Sequence, residues 1–248
     1  MVNHNDQRAF ELAARSLKAF GLLLYPGFEV SQHHQLILDE IELLLNDETG
    51  KLAIILPPRH GKTTIASILT PAFYLGREPR GNVITASYGA ELSEGWGRRV
   101  RGLIQNETFQ HVFPNCVLSP DSQAAGRFNT MQGGEYIAVG RGGAMTGRGA
   151  DLLVLDDLIK DAVEANSETT TRSIIEWLKH VALTRLSRNG KTIAISTRWS
   201  ERDPMGWLLN EQKGWKVVHL PAVSEGDGDL LGRPAGAACG RADTRYLY

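Results

Sequence analysis

Two cysteines in 248 residues, Cys116 and Cys239, are too few and too far apart for a disulfide framework. They also lack metal-ligand spacing, so a reducing compartment is the default expectation. Long apolar runs are missing. The longest, such as Leu152 to Leu155, fall far short of the ~20 residues a bilayer-crossing helix needs. The opening stretch MVNHNDQRAFELAARS carries acidic residues and no apolar signal-peptide core. An excess of either charge is absent too. Lys and Arg number 27 against 28 Asp and Glu, a formal net charge of -1, so no global basic field advertises nucleic acid. That argues against a passive DNA coat and leaves room for contact through one small patch. Internal repeats and low-complexity tracts are lacking. What is there, 42% hydrophobic and 22% charged residues, is ordinary for a globular chain with a sizeable core, built as one large domain or two small ones.

Phe10, Leu12, Ala13, Leu17 and Phe20 recur at helical spacing and predict one helix over 6–20, broken at Tyr25-Pro26-Gly27. Ser31 is placed to cap a second helix carrying Leu36, Ile37, Ile41, Leu44 and Leu45. LAIIL at 52–56 reads as a buried strand, and NVITAS at 82–87 as another. Residues 90–105 predict a helix with a basic face at Arg98, Arg99 and Arg101. FNTM and EYIAV, on either side of Gln132-Gly133-Gly134, predict a hairpin over 128–139. A glycine-rich stretch, 140–151, leads into the strand LLVLDD. A long helix is expected over about 168–187, a strand at KTIAIST (191–197), a helix capped by Asp203 with Pro204 first, and a last strand at WKVVHL (215–220). Strands alternating with helices imply an α/β fold with a mostly parallel central sheet and helices on both faces. The expected division is a helical segment over 1–50, a P-loop core over 51–222, and a poorly ordered polar tail over 223–248.

The central feature is Leu56-Pro57-Pro58-Arg59-His60-Gly61-Lys62-Thr63-Thr64, between a strand and a helix. Backbone N–H groups in such a loop cradle phosphates, and the helix N-terminus adds its dipole. Lys62 would reach the β- and γ-phosphates of ATP, and Thr63 would ligate Mg²⁺. The usual first glycine is absent, since Leu56 holds its place. The second feature is Asp156-Asp157 after four apolar residues, matching a Walker B strand that ends at the ligand crevice of an open sheet. Asp156 would hold Mg²⁺, and Asp157 would orient the attacking water. Third, Ile195-Ser196-Thr197-Arg198-Trp199 ends a strand. In P-loop ATPases with an extra strand between the two Walker strands, that tip lies near the γ-phosphate, where Ser196 or Thr197 can sense it.

Together PPRHGKT, GRGADLLVLDD, the EW…LTRL helix, and STRW followed by an acidic residue and Asp203 resemble the phage terminase large subunits, over roughly residues 30–235. The resemblance implies a P-loop NTPase of the RecA-like, ASCE type. It implies an Mg²⁺-dependent ATPase that docks as a homo-oligomeric ring at the procapsid portal and pumps double-stranded DNA inward, in the host bacterial cytoplasm. Portal protein and terminase small subunit are the implied partners, with no membrane involved. Arg59 matches a position where terminases carry an arginine, implying a cis contact to the γ-phosphate. Arg141 or Arg148 would act on a neighbouring subunit's ATP. Gln35, with His33 and His34, stands where such ATPases read adenine; for the histidines ordinary packing is the favoured reading. The family's second, RNase H-like nuclease domain has no room here, so DNA cleavage is not expected. The end also departs from the family's Leu-Trp-Pro continuation, and a shifted reading frame from about Ala238 would permit Leu-Trp-Pro-x-x-Tyr-Pro. The alternatives are a nucleotide-binding remnant of a truncated prophage gene and a helicase-like P-loop ATPase.

Overall fold

The computed structural model describes residues 4–145, 147 and 149–239. Three helices open the chain: α1 (His4–Arg15), α2 (Leu17–Leu24) and α3 (Gln32–Asn46). The single helix expected over 6–20 is two, because Ser16 adopts extended φ/ψ and starts α2 as its N-cap. Its hydroxyl also reaches Glu42 of α3 at 3.0 Å, which fixes the break in place. Strand β1 (Gly50–Ile55) follows, then the loop to Lys62 and a π-helical turn, Thr64–Leu69, continuous with α4 (Thr70–Arg77). Next come β2 (Asn82–Ser87), α5 (Ala90–Gln105), α6 (Glu107–Val112), β3 (Leu118–Gln123), β4 (Arg127–Thr130), β5 (Glu135–Gly140) and β6 (Ala150–Asp156). The last part holds α7 (Ala162–Ala165), α8 (Glu168–Trp177), a π turn and a 3₁₀ turn ending at Arg185, β7 (Leu186–Ser196), α9 (Pro204–Glu211) and β8 (Trp215–His219).

The strands form one sheet in the order β3-β4-β5-β2-β6-β7-β1-β8. All pairings from β5 to β8 are parallel, and β3 and β4 join antiparallel at one edge. The period-2 alternation of the strands feeds two cores. Leu52, Ile54, Val83, Leu152, Val154 and Ile193 face the side covered by α1 to α6. Ala53, Ile55, Ile84, Leu153, Leu155 and Ala194 face α8 and α9. Burial on both faces explains why these strands read as continuous apolar runs. Within the sheet, β7 lies between β1 and β6, so the tips of all three converge. Among the described residues no helix is long and apolar enough to cross a membrane.

The tail departs from its expectation. Residues 223–239 are hydrogen-bonded rather than poorly ordered: Ser224 N–H donates to Ala237 O and Cys239 N–H to Ala222 O, both at 2.8 Å. An ion pair between Asp229 and Arg233, 2.7 Å long, ties its turn. Composition carries little signal of this, because polar pairing and the packing of one leucine, Leu231, against the core hold the segment. The shifted-frame expectation falls almost wholly on 240–248, outside the described residues.

Candidate nucleotide-binding site

The loop after β1 is shaped by its own residues. Pro57 and Pro58 offer no N–H and keep the chain out of helix until Arg59 turns it. Arg59 and Asp157 are the non-glycine residues with positive φ among those described, at 62° and 45°. Each conformation costs about 1–3 kcal/mol and persists only where surroundings over-determine it. Both residues flank one cleft of about 350 Å³. Gly61 has φ 71°, and a Cβ there would lie 2.5 Å from His34 Nε2. His34 reaches the loop by placing Nε2 3.1 Å from His60 O, while its Nδ1 lies 3.3 Å from the Ser31 N–H. Nδ1 also faces Glu29 O at 3.0 Å, so the two ring nitrogens meet two carbonyls and the neutral ring donates to one of them. Burial favours that neutral form, pulling the pKa of His34 down. His33 beside it is lowered to about 3, mainly by burial and then by the nearby His34 and His60.

The helix starts at Lys62, whose amine is almost fully buried and donates to Thr197 Oγ1 at 2.9 Å. The same amine lies 3.8 Å from Asp157 Oδ2. Thr197 closes the circuit: its N–H donates to Asp157 Oδ1 at 3.1 Å, and its hydroxyl to Leu56 O at 3.3 Å. Thus the ends of β1, β6 and β7 are joined through one lysine, one aspartate and one threonine.

Asp156 is fully buried beneath this layer. Its Oδ2 accepts a 2.6 Å hydrogen bond from Ser67 Oγ, and its Oδ1 has no partner. Burial pushes its pKa up to about 7, with Asp157 adding to the rise. The hydroxyls of Ser67 and Thr63 and the charge of Lys62 oppose it. An unpartnered buried carboxylate oxygen at a strand tip, with a threonine hydroxyl nearby, suits a hard oxygen-seeking cation. The residues present therefore fit Mg²⁺. Thr64, Tyr88, Lys160 and the half-exposed Trp199 also line the cleft.

A family model described as "Terminase large subunit, T4likevirus-type, N-terminal" matches residues 53–230. The chain belongs to the terminase large subunits. The match is to the N-terminal part of those subunits, and the α/β fold is of the kind seen in a solved large terminase. Among solved structures it is similar to the large terminase of bacteriophage HK97, at 13% identity and a TM-score of 0.56. That match covers 90% of this chain and 45% of the HK97 chain, so this chain spans under half of that relative's length. The ATPase domain of the Thermus phage P74-26 large terminase matches at 18% identity and a TM-score of 0.49, over 73% of this chain and 69% of that one. No curated protein matches the chain in sequence.

In this terminase domain the structure gathers Pro58, Arg59, His60, Gly61, Lys62, Thr63 and Thr64 with Asp157 and Thr197 around the cleft, and Asp156 behind it. Gln35 is not among them. It accepts from Lys18 Nζ and donates to Asp39, each at 2.6 Å. Arg141 is drawn into its own subunit: Nη1 donates to Leu158 O at 2.9 Å and to Glu164 Oε2 at 2.6 Å, and Nη2 binds Glu164 Oε1. Arg148 lies outside the described residues. The sequence reading missed Ser67 and Lys160. Each left a signal: Ser67 is a lone hydroxyl in the apolar run IASIL, and Lys160 is a cation three residues past the paired acids.

Proposed function

We propose that this domain hydrolyses ATP with Mg²⁺ to drive double-stranded DNA into a viral procapsid. The observation that carries the reading is the Lys62–Thr197–Asp157 circuit at the tips of three adjacent parallel strands, over a buried Asp156 with a free oxygen. Loop N–H groups and the helix start at Lys62 bind the phosphates, and Lys62 exchanges Thr197 for a β- or γ-phosphate oxygen. Thr63 and Asp156 hold Mg²⁺, which when bound neutralises charge on the phosphate oxygens. Asp157 orients the attacking water and accepts its proton, and Thr197, already bonded to Asp157, senses whether the terminal phosphate is present. Arg59, exposed on the loop crest, places its guanidinium on that phosphate in cis. The site supports the nucleotide chemistry, and membership of the family supports the rest of the reading. Portal protein and terminase small subunit are the proposed partners, a ring of this chain the working assembly, and the host cytoplasm its setting. DNA cleavage is not assigned to this chain.

ATP turnover should require Mg²⁺, stop with EDTA and rise with double-stranded DNA. Asp157→Asn should keep nucleotide binding and lose about 10²–10⁴-fold in turnover. Wild-type turnover in that variant would remove Asp157 from the chemistry.

A further inference from the structure

We infer that Lys160 is a second phosphate-binding lysine of the cleft, and that Arg141 and Glu164 form the clamp that positions it. The inference rests on the ATPase reading above and deepens it.

The segment following Asp157 is held at nearly every residue. Asp157 N–H donates to Ile195 O at 3.0 Å. Leu158 and Ile159 are buried in the core under α8 and α9. Leu158 O accepts from Arg141 Nη1 at 2.9 Å. Lys160 N–H donates to Glu164 Oε2 at 2.9 Å, the same oxygen that binds Arg141 Nη1 at 2.6 Å. Asp161 caps α7 by accepting the Glu164 N–H at 3.0 Å, which fixes the glutamate itself. Arg141 in turn is anchored at the end of β5, its N–H donating to Ser87 O at 2.7 Å. Arginine and glutamate are each partly buried, and the guanidinium holds the Glu164 carboxyl below its ordinary range.

The product of this scaffold is one residue. Lys160 lines the cleft with Arg59, Lys62 and Asp157. Its backbone is pinned, yet its ammonium has no hydrogen-bond or ion-pair partner among the described residues. A lysine that merely solvates a surface needs no bidentate ion pair beneath it. A lysine that must meet an anion does, because a fixed backbone shrinks the conformational cost of forming the contact. Asp157 stands 3.8 Å from the Lys62 amine, which is already bonded to Thr197. Lys62 and Arg59 share the cleft with Asp157, so a triphosphate, still anionic with its Mg²⁺, exceeds the positive charge they supply. Lys160, three residues beyond Asp157 and in the same lining, meets the terminal phosphate. Arg141 serves as a positioning residue inside its own subunit rather than as a finger reaching a neighbour.

The test uses the full chain and two probes, Mg²⁺ with ADP and Mg²⁺ with a non-hydrolysable ATP analogue, read by equilibrium binding. Lys160→Ala should weaken the triphosphate analogue about tenfold or more and leave ADP within about twofold, as loss of one charge-assisted contact predicts. Lys160→Arg should restore most of it. Arg141→Gln and Glu164→Gln should reproduce the selective loss, and in a Lys160→Ala background they should add nothing. Unchanged ADP affinity in each variant shows that the fold is intact. Wild-type analogue binding by Lys160→Ala overturns the phosphate role. A full Arg141→Gln effect in the Lys160→Ala background overturns the clamp. Lys62→Ala, measured alongside, should weaken both probes. If it weakens neither, the nucleotide-site reading falls and takes this inference with it; if it weakens both while Lys160→Ala weakens neither, only the inference falls.

Discussion

Replacing Ser67 with alanine removes the one hydrogen bond that Asp156 Oδ2 receives from the helix after the loop, a 2.6 Å contact between fully buried atoms. A hydrogen bond to a charged group contributes about 1.5–3 kcal/mol. The substitution leaves both carboxylate oxygens poorly partnered, since Oδ1 has none. One relief is available: the carboxyl, already pushed up to about 7, can take a proton. That holds the loss near the middle of the range, about 2 kcal/mol. In a domain of this size each kcal/mol moves Tm by about 2–4 °C, so Tm should fall by about 4–8 °C in EDTA at pH 8. A second effect separates positioning from packing. With Oδ2 released, Oδ1 no longer points at a fixed place, and loss of such an outer partner weakens metal binding by about 10–100-fold. Nucleotide binding titrated with Mg²⁺ should shift by that factor, while metal-free binding changes little. Ser67→Cys, of similar size with a weaker donor, should fall between. A Ser67→Ala protein with unchanged Tm and unchanged Mg²⁺ dependence would refute the reasoning.

Asp156→Asn should behave oppositely in stability. Its folded pKa of about 7 lies above the ordinary 3.8, so the folded state binds the extra proton between those values. Wild-type stability should therefore fall as pH rises through that window, and Asp156→Asn should flatten the fall and melt higher than wild type at pH 8 without metal, while losing Mg²⁺-dependent binding. Gly61→Ala combines a positive φ with a Cβ 2.5 Å from His34 Nε2. It should cost about 1–2 kcal/mol in backbone strain alone and weaken nucleotide binding further by pushing the loop off His34, read by melting and ADP titration.

The strands of the parallel sheet were legible because burial on both faces leaves unbroken runs such as LAIIL and LLVLDD. The Asp203 cap and Pro204 start of α9 were legible for a local reason, since the Asp203 side chain accepts the Gly206 N–H. Strand β3 was not, because LSPDSQ is polar and holds a proline, tolerable only at the sheet edge it occupies. The break at Ser16 was hidden inside an intact amphipathic pattern and depends on Glu42, 26 residues away. In the site, the phosphate loop and the paired acids announce themselves because their chemistry requires contiguous residues. Gln35 and Arg141 could not be placed, since Lys18 and Glu164, 17 and 23 residues away, are brought to them by tertiary packing. Ser67 escaped notice because a buried serine gains meaning only from the carboxylate it meets.

The central claim is that Lys62, held on Thr197 between the two Walker strands, is the phosphate cation of a working ATPase. Mg²⁺-dependent ATP hydrolysis by the purified chain, compared with Lys62→Ala at equal fold integrity, tests it most directly. The wild type should show measurable turnover and the variant none; equal turnover in both would remove Lys62 from that role.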